Sequence, residues 1–350
     1  MPVSRRAALE GKAARAMLQL PRPVLVRMSG GTRRTHDGYV LDEQIQLVLF
    51  LFDKLGKKHT HELSVAQARR ELDVNALAFA PPRRSLETVE NRRIATPAGE
   101  IPVRIYHPRG LRDAAPAVVI FHGGGWVIGS LDSHDPVCGE IADDAACVVI
   151  SVDYRLAPEH PFPAAVDDAT AAFRWVVANA ASLGVDPQRI AVMGDSAGGN
   201  LAAVVALDTR DDAVRPCFQV LVYPAVDLTR SFPSHRTLAK GYFLEEATMD
   251  WFIDHYAPNK ADHRLPRASP IFAKSLAGLP PALVQTAGFD PLRDEGQAYA
   301  DKLAEAGVSV QHQCYGSTIH GYFNMSGTIE AAKRPVLDAI HALRRAFARV

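Results

Sequence analysis

The sequence predicts an α/β fold built on an open, mostly parallel sheet with helices on both faces. Three observations carry that expectation. Short, almost wholly apolar runs, such as Ala117 to Phe121, Cys147 to Val152 and Arg189 to Met193, suit strands buried on both faces. Helix-like stretches alternate with them. Glycine-rich turns stand directly after two of the runs, where ligands bind in such sheets.

Residues 1 to about 85 read as an irregular and helical extension. Pro21, Pro23 and the pair Gly30-Gly31 interrupt any early helix. Gln44 to Leu55 is strongly apolar, and Ser64 with Gln67 makes a capping-box pattern ahead of a helix over Val65 to Leu72. Helices this short need a partner surface, so they are expected to fold over something downstream. From about residue 88 the strand–helix texture begins. Val89 to Ala95 and Ile101 to His107 read as strands joined by a turn at Pro97-Ala98-Gly99. The other expected strands are Phe218 to Tyr223, Ala282 to Thr286 and Ser309 to Cys314. Expected helices cover Cys138 to Ala146, Ala164 to Ala181, Leu201 to Leu207 and Val336 to Ala348. Residues 228–270 break the rhythm and are expected to join the N-terminal helices as a cap. The expected division is thus an N-terminal extension with cap helices over 1–85, a first core part over 86–227, a cap insertion over 228–270 and a second core part over 271–350.

Composition narrows the function classes. The 350 residues are 47% hydrophobic and 22% charged, with a formal net charge of +0, so no global field favours nucleic acid. The first 34 residues are locally basic, with eight Lys and Arg against Glu10, and read as a solvated arm. The four cysteines are far apart and lack CxxC spacing, which excludes a disulfide framework or zinc site as the expectation; no metal is expected. No run approaches the about 18 apolar residues of a membrane span. The N-terminus lacks an apolar segment before a cleavage site, so the expected compartment is the cytoplasm.

The sharpest local signal is Gly194-Asp195-Ser196-Ala197-Gly198, between a buried strand and a helix. A nucleophile elbow needs that context, because the tight turn tolerates only small flanking residues and presents the hydroxyl at the strand end. The second signal is His122-Gly123-Gly124-Gly125-Trp126 after the strand ending at Phe121. Consecutive glycines let backbone N–H groups turn toward one oxygen, and fixed donors stabilise the oxyanion of an acyl-transfer intermediate. Gly124, Gly125 and Ala197 are the expected donors. Phosphate-binding strings of the GxGxxG or Gly-Lys-Ser/Thr kind do not occur in this loop. A serine hydroxyl needs a base. Of 13 histidines, His320 follows the last expected strand, whereas His122 belongs to the glycine loop and is expected to anchor it. Asp290 follows the strand Ala282 to Thr286 and precedes Pro291, so it is the expected acid; Asp294 falls one turn into the next helix. The chain order serine, acid, histidine supports the set. Trp126 and Asp195 are expected to contact substrate, and the aromatics Phe243 and Trp251 are candidates to line its pocket.

Together His122-Gly123-Gly124-Gly125, Gly194-Asp195-Ser196-Ala197-Gly198-Gly199, Asp290-Pro291-Leu292-Arg293-Asp294 and His320-Gly321-Tyr322 resemble the bacterial hormone-sensitive-lipase-like esterases of the α/β-hydrolase superfamily, over roughly residues 40–350. Asp153-Tyr154-Arg155-Leu156-Ala157-Pro158-Glu159 is similar to a further segment of that family. Tyr322 stands where phenylalanine is commoner. The resemblance implies an eight-stranded core with a helical cap, hydrolysis of short- to medium-chain acyl esters without a cofactor, and triad roles for Ser196, Asp290 and His320. The expected partner is a small-molecule ester; a homodimer is compatible with the sequence. Alternatives are a non-catalytic binding protein of the same fold, an amidase or acyltransferase using the same triad, and a membrane-associated lipase.

Overall fold

The apolar runs become eight strands of one sheet. The computed structural model describes residues 15–111 and 114–349. A two-stranded hairpin, β1 (Thr35–His36) and β2 (Tyr39–Val40), precedes the main sheet. That sheet comprises β3 (Thr88–Thr96), β4 (Gly99–His107), β5 (Ala115–Phe121), β6 (Val148–Val152), β7 (Val185–Asp195), β8 (Gln219–Val222), β9 (Ala282–Phe289) and β10 (Val310–Ile319). Their spatial order is β10-β9-β8-β7-β5-β6-β4-β3. The pairs β3–β4 and β4–β6 are antiparallel and the other pairs are parallel.

The period-2 geometry of a strand splits each apolar run between two cores. Val119 and Phe121 face α5 (Ala164–Ala178), α6 (Ala197–Asp208) and α9 (Arg293–Glu305). Val118 and Ile120 face α4 (Leu131–Ala145) and α10 (Glu330–Phe347). Both faces are covered, which is why the strands read as continuous apolar runs rather than alternating ones.

Outside that repeat lie α1 (Arg22–Met28), α2 (Glu43–Lys54) and α3 (Val65–Phe79) before the sheet, and α7 (Ser234–Thr237) and α8 (Glu246–Tyr256) between β8 and β9. Asp42 caps α2 by accepting from Gln44 N (2.9 Å) and Ile45 N (3.2 Å). Ser64 and Gln67 form the expected capping box, but α3 runs seven residues beyond Leu72. It stops where Ala80 turns extended before Pro81-Pro82, the nearest residues unable to continue it. Arg69 of α3 fastens this segment to the core through Val127 O (2.9 Å), Ala157 O (3.0 Å) and both oxygens of Glu159 (2.8 and 2.7 Å). The Arg69 guanidinium holds the Glu159 carboxyl down at about 2.

Further expected boundaries shift. The helices expected from Cys138 and Val336 begin at Leu131 and Glu330, with Pro136 and Pro335 inside them. Ser130 supplies the first cap by accepting from Asp132 N and Ser133 N, both at 3.2 Å. The carbonyl of Pro335 accepts from Gln285 Nε2 at 2.9 Å. The last strand runs past Cys314 to Ile319 with an irregular register between Tyr315 and Ile319. There Gly316 lies so close to Gly288 of the adjacent strand that a side chain on Gly288 would strike its backbone. All four cysteines are free, and among the described residues no helix is long and apolar enough to cross a membrane.

Candidate active site

The carboxyl ends of β5, β7, β9 and β10 converge, and each carries one sequence-predicted group. Ser196 joins β7 to α6 with φ 56° and ψ −117°, a strained conformation for a residue with a side chain. Its flanks must be glycine: a Cβ on Gly194 would strike the backbone of Gly198, and one on Gly198 would strike the carbonyl of Phe121. The serine hydroxyl is thereby held out above the sheet.

His320, directly after β10, brings Nε2 to 2.9 Å from Ser196 Oγ. Its Nδ1 lies 2.8 Å from Asp290 Oδ2. Asp290 is fully buried after β9, and its Oδ1 accepts from Leu292 N at 2.8 Å, which fixes the carboxylate plane. A carboxylate acceptor at Nδ1 requires a proton there and leaves Nε2 free to accept from the serine. Asp294 lies elsewhere, accepting from Ser234 N and Arg293 Nε at 2.9 Å each in the first turn of α9.

The glycine loop after β5 completes the group. Gly124 and Gly125 have φ of +121° and +57°. Side chains on them would collide with the Ile128 carbonyl and the Phe252 ring respectively. Among the described residues the N–H groups of Gly124, Gly125 and Ala197 have no backbone acceptor, the last because it opens a helix. His122 anchors the loop: its ring stacks on Tyr154 at 4.3 Å, its Nδ1 meets Gly123 O at 2.8 Å, and Tyr154 Oη donates to His122 O at 2.7 Å. Burial, with the neighbouring His134, pushes His122 down to about 4, so it is neutral near pH 7.

Two expected substrate contacts require correction. Trp126 is 3% exposed and stacks on Tyr256 with ring centroids 4.2 Å apart, inside the core beneath the loop. Its positive φ of 60° turns the side chain there. Asp195 is 6% exposed and points behind Ser196, accepting from Gly123 N at 2.9 Å and contacting His134 Nε2 at 3.0 Å. Burial alone would lift its carboxyl, but His134 and the Gly123 N–H outweigh that and hold it below the usual carboxylate value. Phe243, half exposed with φ 75°, reaches toward Gly321 beside His320. Trp251 instead packs on His255 and Phe252.

Several members of the site escaped the sequence reading. The ring of Tyr223, after β8, lies 4.5 Å from that of His320. Asn200 in the first turn of α6 donates to Ala225 O (2.8 Å) and Ala268 O (2.9 Å). Leu244, Met249 and Leu292 form a small buried apolar cluster with Ala225 and Phe252 packed on it. Leu292 stands in the segment Asp290 to Asp294 and Tyr223 at a strand end; no motif marks the others.

The arrangement is a relay of carboxylate, imidazole and hydroxyl beside a loop of unpaired amides, which is suited to acyl transfer. The comparisons agree. Residues 118–324, more than half of the chain, match the family model described as alpha/beta hydrolase fold. The chain is 41% identical to the carboxylic ester hydrolase LipN of Mycobacterium tuberculosis over 95% of its own length and 90% of that protein's. It is 39% identical to an ethyl acetate hydrolase of Pseudomonas putida, over 81% and 91%. Among solved structures, an ester hydrolase from the metagenome of Lake Arreo superposes with a TM-score of 0.83 at 43% identity, covering 86% of this chain and 97% of the other. A relay of this geometry on this sheet, with relatives so similar along nearly their whole length, makes the chain a member of the alpha/beta hydrolase fold family, on its hormone-sensitive-lipase-like esterase branch.

Proposed function

We propose that the protein hydrolyses short- to medium-chain carboxylic esters through an acyl-enzyme on Ser196. The observation that carries this reading is the continuous chain Ser196 Oγ–His320 Nε2 at 2.9 Å and His320 Nδ1–Asp290 Oδ2 at 2.8 Å. Ser196 Oγ attacks the acyl carbon while His320 Nε2 takes its proton. Asp290 stabilises the imidazolium without itself being protonated. The carbonyl oxygen, negative in the tetrahedral intermediate, is held by the N–H groups of Gly124, Gly125 and Ala197. His320 then returns the proton to the leaving alkoxide. A water then attacks the acyl carbon as it loses a proton to His320, the bond to Ser196 Oγ breaks, His320 returns the proton to that oxygen, and the acid leaves.

In this reading residues 15–85 and 228–270 form the cap over the strand ends. The apolar cluster of Leu244, Met249, Leu292, Ala225 and Phe252 receives the acyl chain. Two links support its placement: Ala225 N donates to Ser196 O at 3.2 Å, and Leu292 N donates to Asp290 at 2.8 Å. A pocket of so few side chains favours short and medium chains.

The test is steady-state hydrolysis of p-nitrophenyl esters from acetate to palmitate, with Ser196→Ala beside the wild type. The expected outcome is activity at short or medium length and a loss on the order of 10⁶ in turnover for Ser196→Ala. Equal activity, or equal inertness, of the two proteins sinks the proposal.

A further inference from the structure

No step of that reaction uses Asp195, a carboxylate buried directly beside the nucleophile. We propose that Asp195 is a positioning residue that holds the oxyanion loop and the histidine loop in one geometry, acting through Gly123 on one side and through His134 and Tyr223 on the other. The inference rests on the esterase reading above.

The connections to the glycine loop and to the histidine loop come from the same carboxylate. Oδ1 accepts from Gly123 N at 2.9 Å, one residue before the expected oxyanion donors Gly124 and Gly125. Oδ1 also meets His134 Nε2 at 3.0 Å, and the amide of Asn324 lies 3.0 Å from that same nitrogen. Oδ2 accepts from Tyr223 Oη at 3.4 Å, and Tyr223 Oη in turn accepts from Phe323 N at 3.3 Å. Phe323 and Asn324 follow His320 by three and four residues. Tyr223 also backs the His320 ring, 4.5 Å between centroids. His134 is fixed from behind by Ser133 Oγ at 2.9 Å from its Nδ1. His134, Tyr223 and Asp195 are all buried, so these bonds have no water to compete with them.

The chemical consequence follows from where the loops lead. Oxyanion donors act only if they aim at the place the negative oxygen will occupy, and the base acts only if Nε2 stays within reach of Ser196. His122 and Tyr154 anchor the first loop and Asp290 holds His320, but neither contact joins one loop to the other. A shared carboxylate fixes their separation, and it fixes it for the transition state more than for ground-state binding.

The experiment compares wild type, Asp195→Asn, Asp195→Ala and Tyr223→Phe with p-nitrophenyl butyrate. Rates are taken per active site, counted by stoichiometric phosphonate labelling of Ser196, well below each protein's melting temperature. Asp195→Ala is expected to lose about 10²-fold in kcat per labelled site with KM changed by less than about threefold. Asp195→Asn keeps an oxygen for Gly123 and is expected to recover part of this, to about a tenfold loss. Tyr223→Phe is expected to lose several-fold, again in kcat. A merely structural role would lower the number of labelled sites and leave kcat per site unchanged. The inference is overturned if kcat per site stays within about twofold of wild type, or if the loss falls in KM alone. Should Asp195→Ala fail to fold, the Asn and Tyr223→Phe variants decide by the same criterion. A wild type without turnover overturns the esterase reading and this inference with it; an active wild type with an unaffected Asp195 series overturns only the inference.

Discussion

Glu295 and His235 meet at 2.5 Å with both side chains almost wholly buried, one in the first turn of α9 and the other in the segment between β8 and β9. Glu295 Oε1 also accepts from Val226 N (2.6 Å) and Asp227 N (3.2 Å). One carboxylate thus ties the helix after Asp290 to the loop under Ser196 and to α7. Removing it strands two buried amides and a histidine. Glu295→Ala is therefore expected to cost about 3–5 kcal/mol of stability, the range for one partner lost from a buried pair. Urea denaturation checks this; a change below about 1 kcal/mol would show that the pair contributes no more than a surface one.

The same pair makes stability depend on pH in a definite sense. Burial opposes the His235 cation, but the hydrogen bond and charge of Glu295 outweigh it and hold His235 above its usual range. Burial lifts Glu295 as well, against the pull of His235. Folded His235, held charged by the Glu295 carboxylate, keeps a proton that the unfolded chain releases. The linked stabilisation is complete below the ordinary histidine range and is lost as pH rises through the raised value. The stability advantage of wild type over His235→Gln is expected to shrink as pH rises above the ordinary histidine range, about 6.5. An advantage that grows as pH rises contradicts the assignment.

Asp290→Asn leaves the fold intact and changes one atom's chemistry. An amide nitrogen facing His320 Nδ1 favours the proton on Nε2, the tautomer that cannot accept from Ser196. The expected loss in kcat is on the order of 10⁴, with little change in KM. Kinetics on p-nitrophenyl butyrate decide it, since a loss confined to KM contradicts the orienting role.

The central sheet was legible because both its faces are covered, so each buried strand is a continuous apolar run. The triad was legible because its members follow strand ends in a fixed order, as Ser196, Asp290 and His320 do. Trp126 and Asp195 were misread for a common reason: both adjoin a reactive residue in sequence, yet adjacency does not say which way a side chain points. Trp126 turns inward at a positive φ, and Asp195 lies at the end of a strand whose successive side chains alternate between faces. Glu295 and His235 are 60 residues apart and neither belongs to a motif that names the other. Pairings of that kind depend on tertiary approach and leave no periodic or local signature. The helix starts at Leu131 and Glu330 were placed late because an interior proline reads as a boundary, although near a helix start it removes only one bond.

Gly125 has a φ of +57° and faces the Phe252 ring where a Cβ would stand. Gly125→Ala must move either the loop or α8. Its N–H then leaves its aim, and a loss of about 10²–10³ in kcat is expected, as for one deleted oxyanion donor. Double substitution with Phe252→Ala relieves the steric part but not the backbone strain. Partial recovery of kcat in the double variant is the expected result, and no recovery would mean that strain alone sets the loss.

Phe252 itself separates two roles that the geometry combines. Its ring lies against Gly125 and also packs on the cluster of Leu244, Met249 and Leu292. As a wall of the acyl pocket, it limits chain length by volume; Phe252→Ala then raises kcat/KM for octanoate relative to butyrate by about tenfold, because each added methylene gains contact that the ring had excluded. As a prop for the oxyanion loop, its loss lowers kcat for every chain length by a similar factor and leaves the preference unchanged. The wall is the expected role, since Gly125 keeps its own backbone turn while the apolar cluster has few other side chains to close it. A p-nitrophenyl ester series on the single variant distinguishes the two: a shifted optimum places Phe252 in the pocket, and a uniform loss places it beneath the loop.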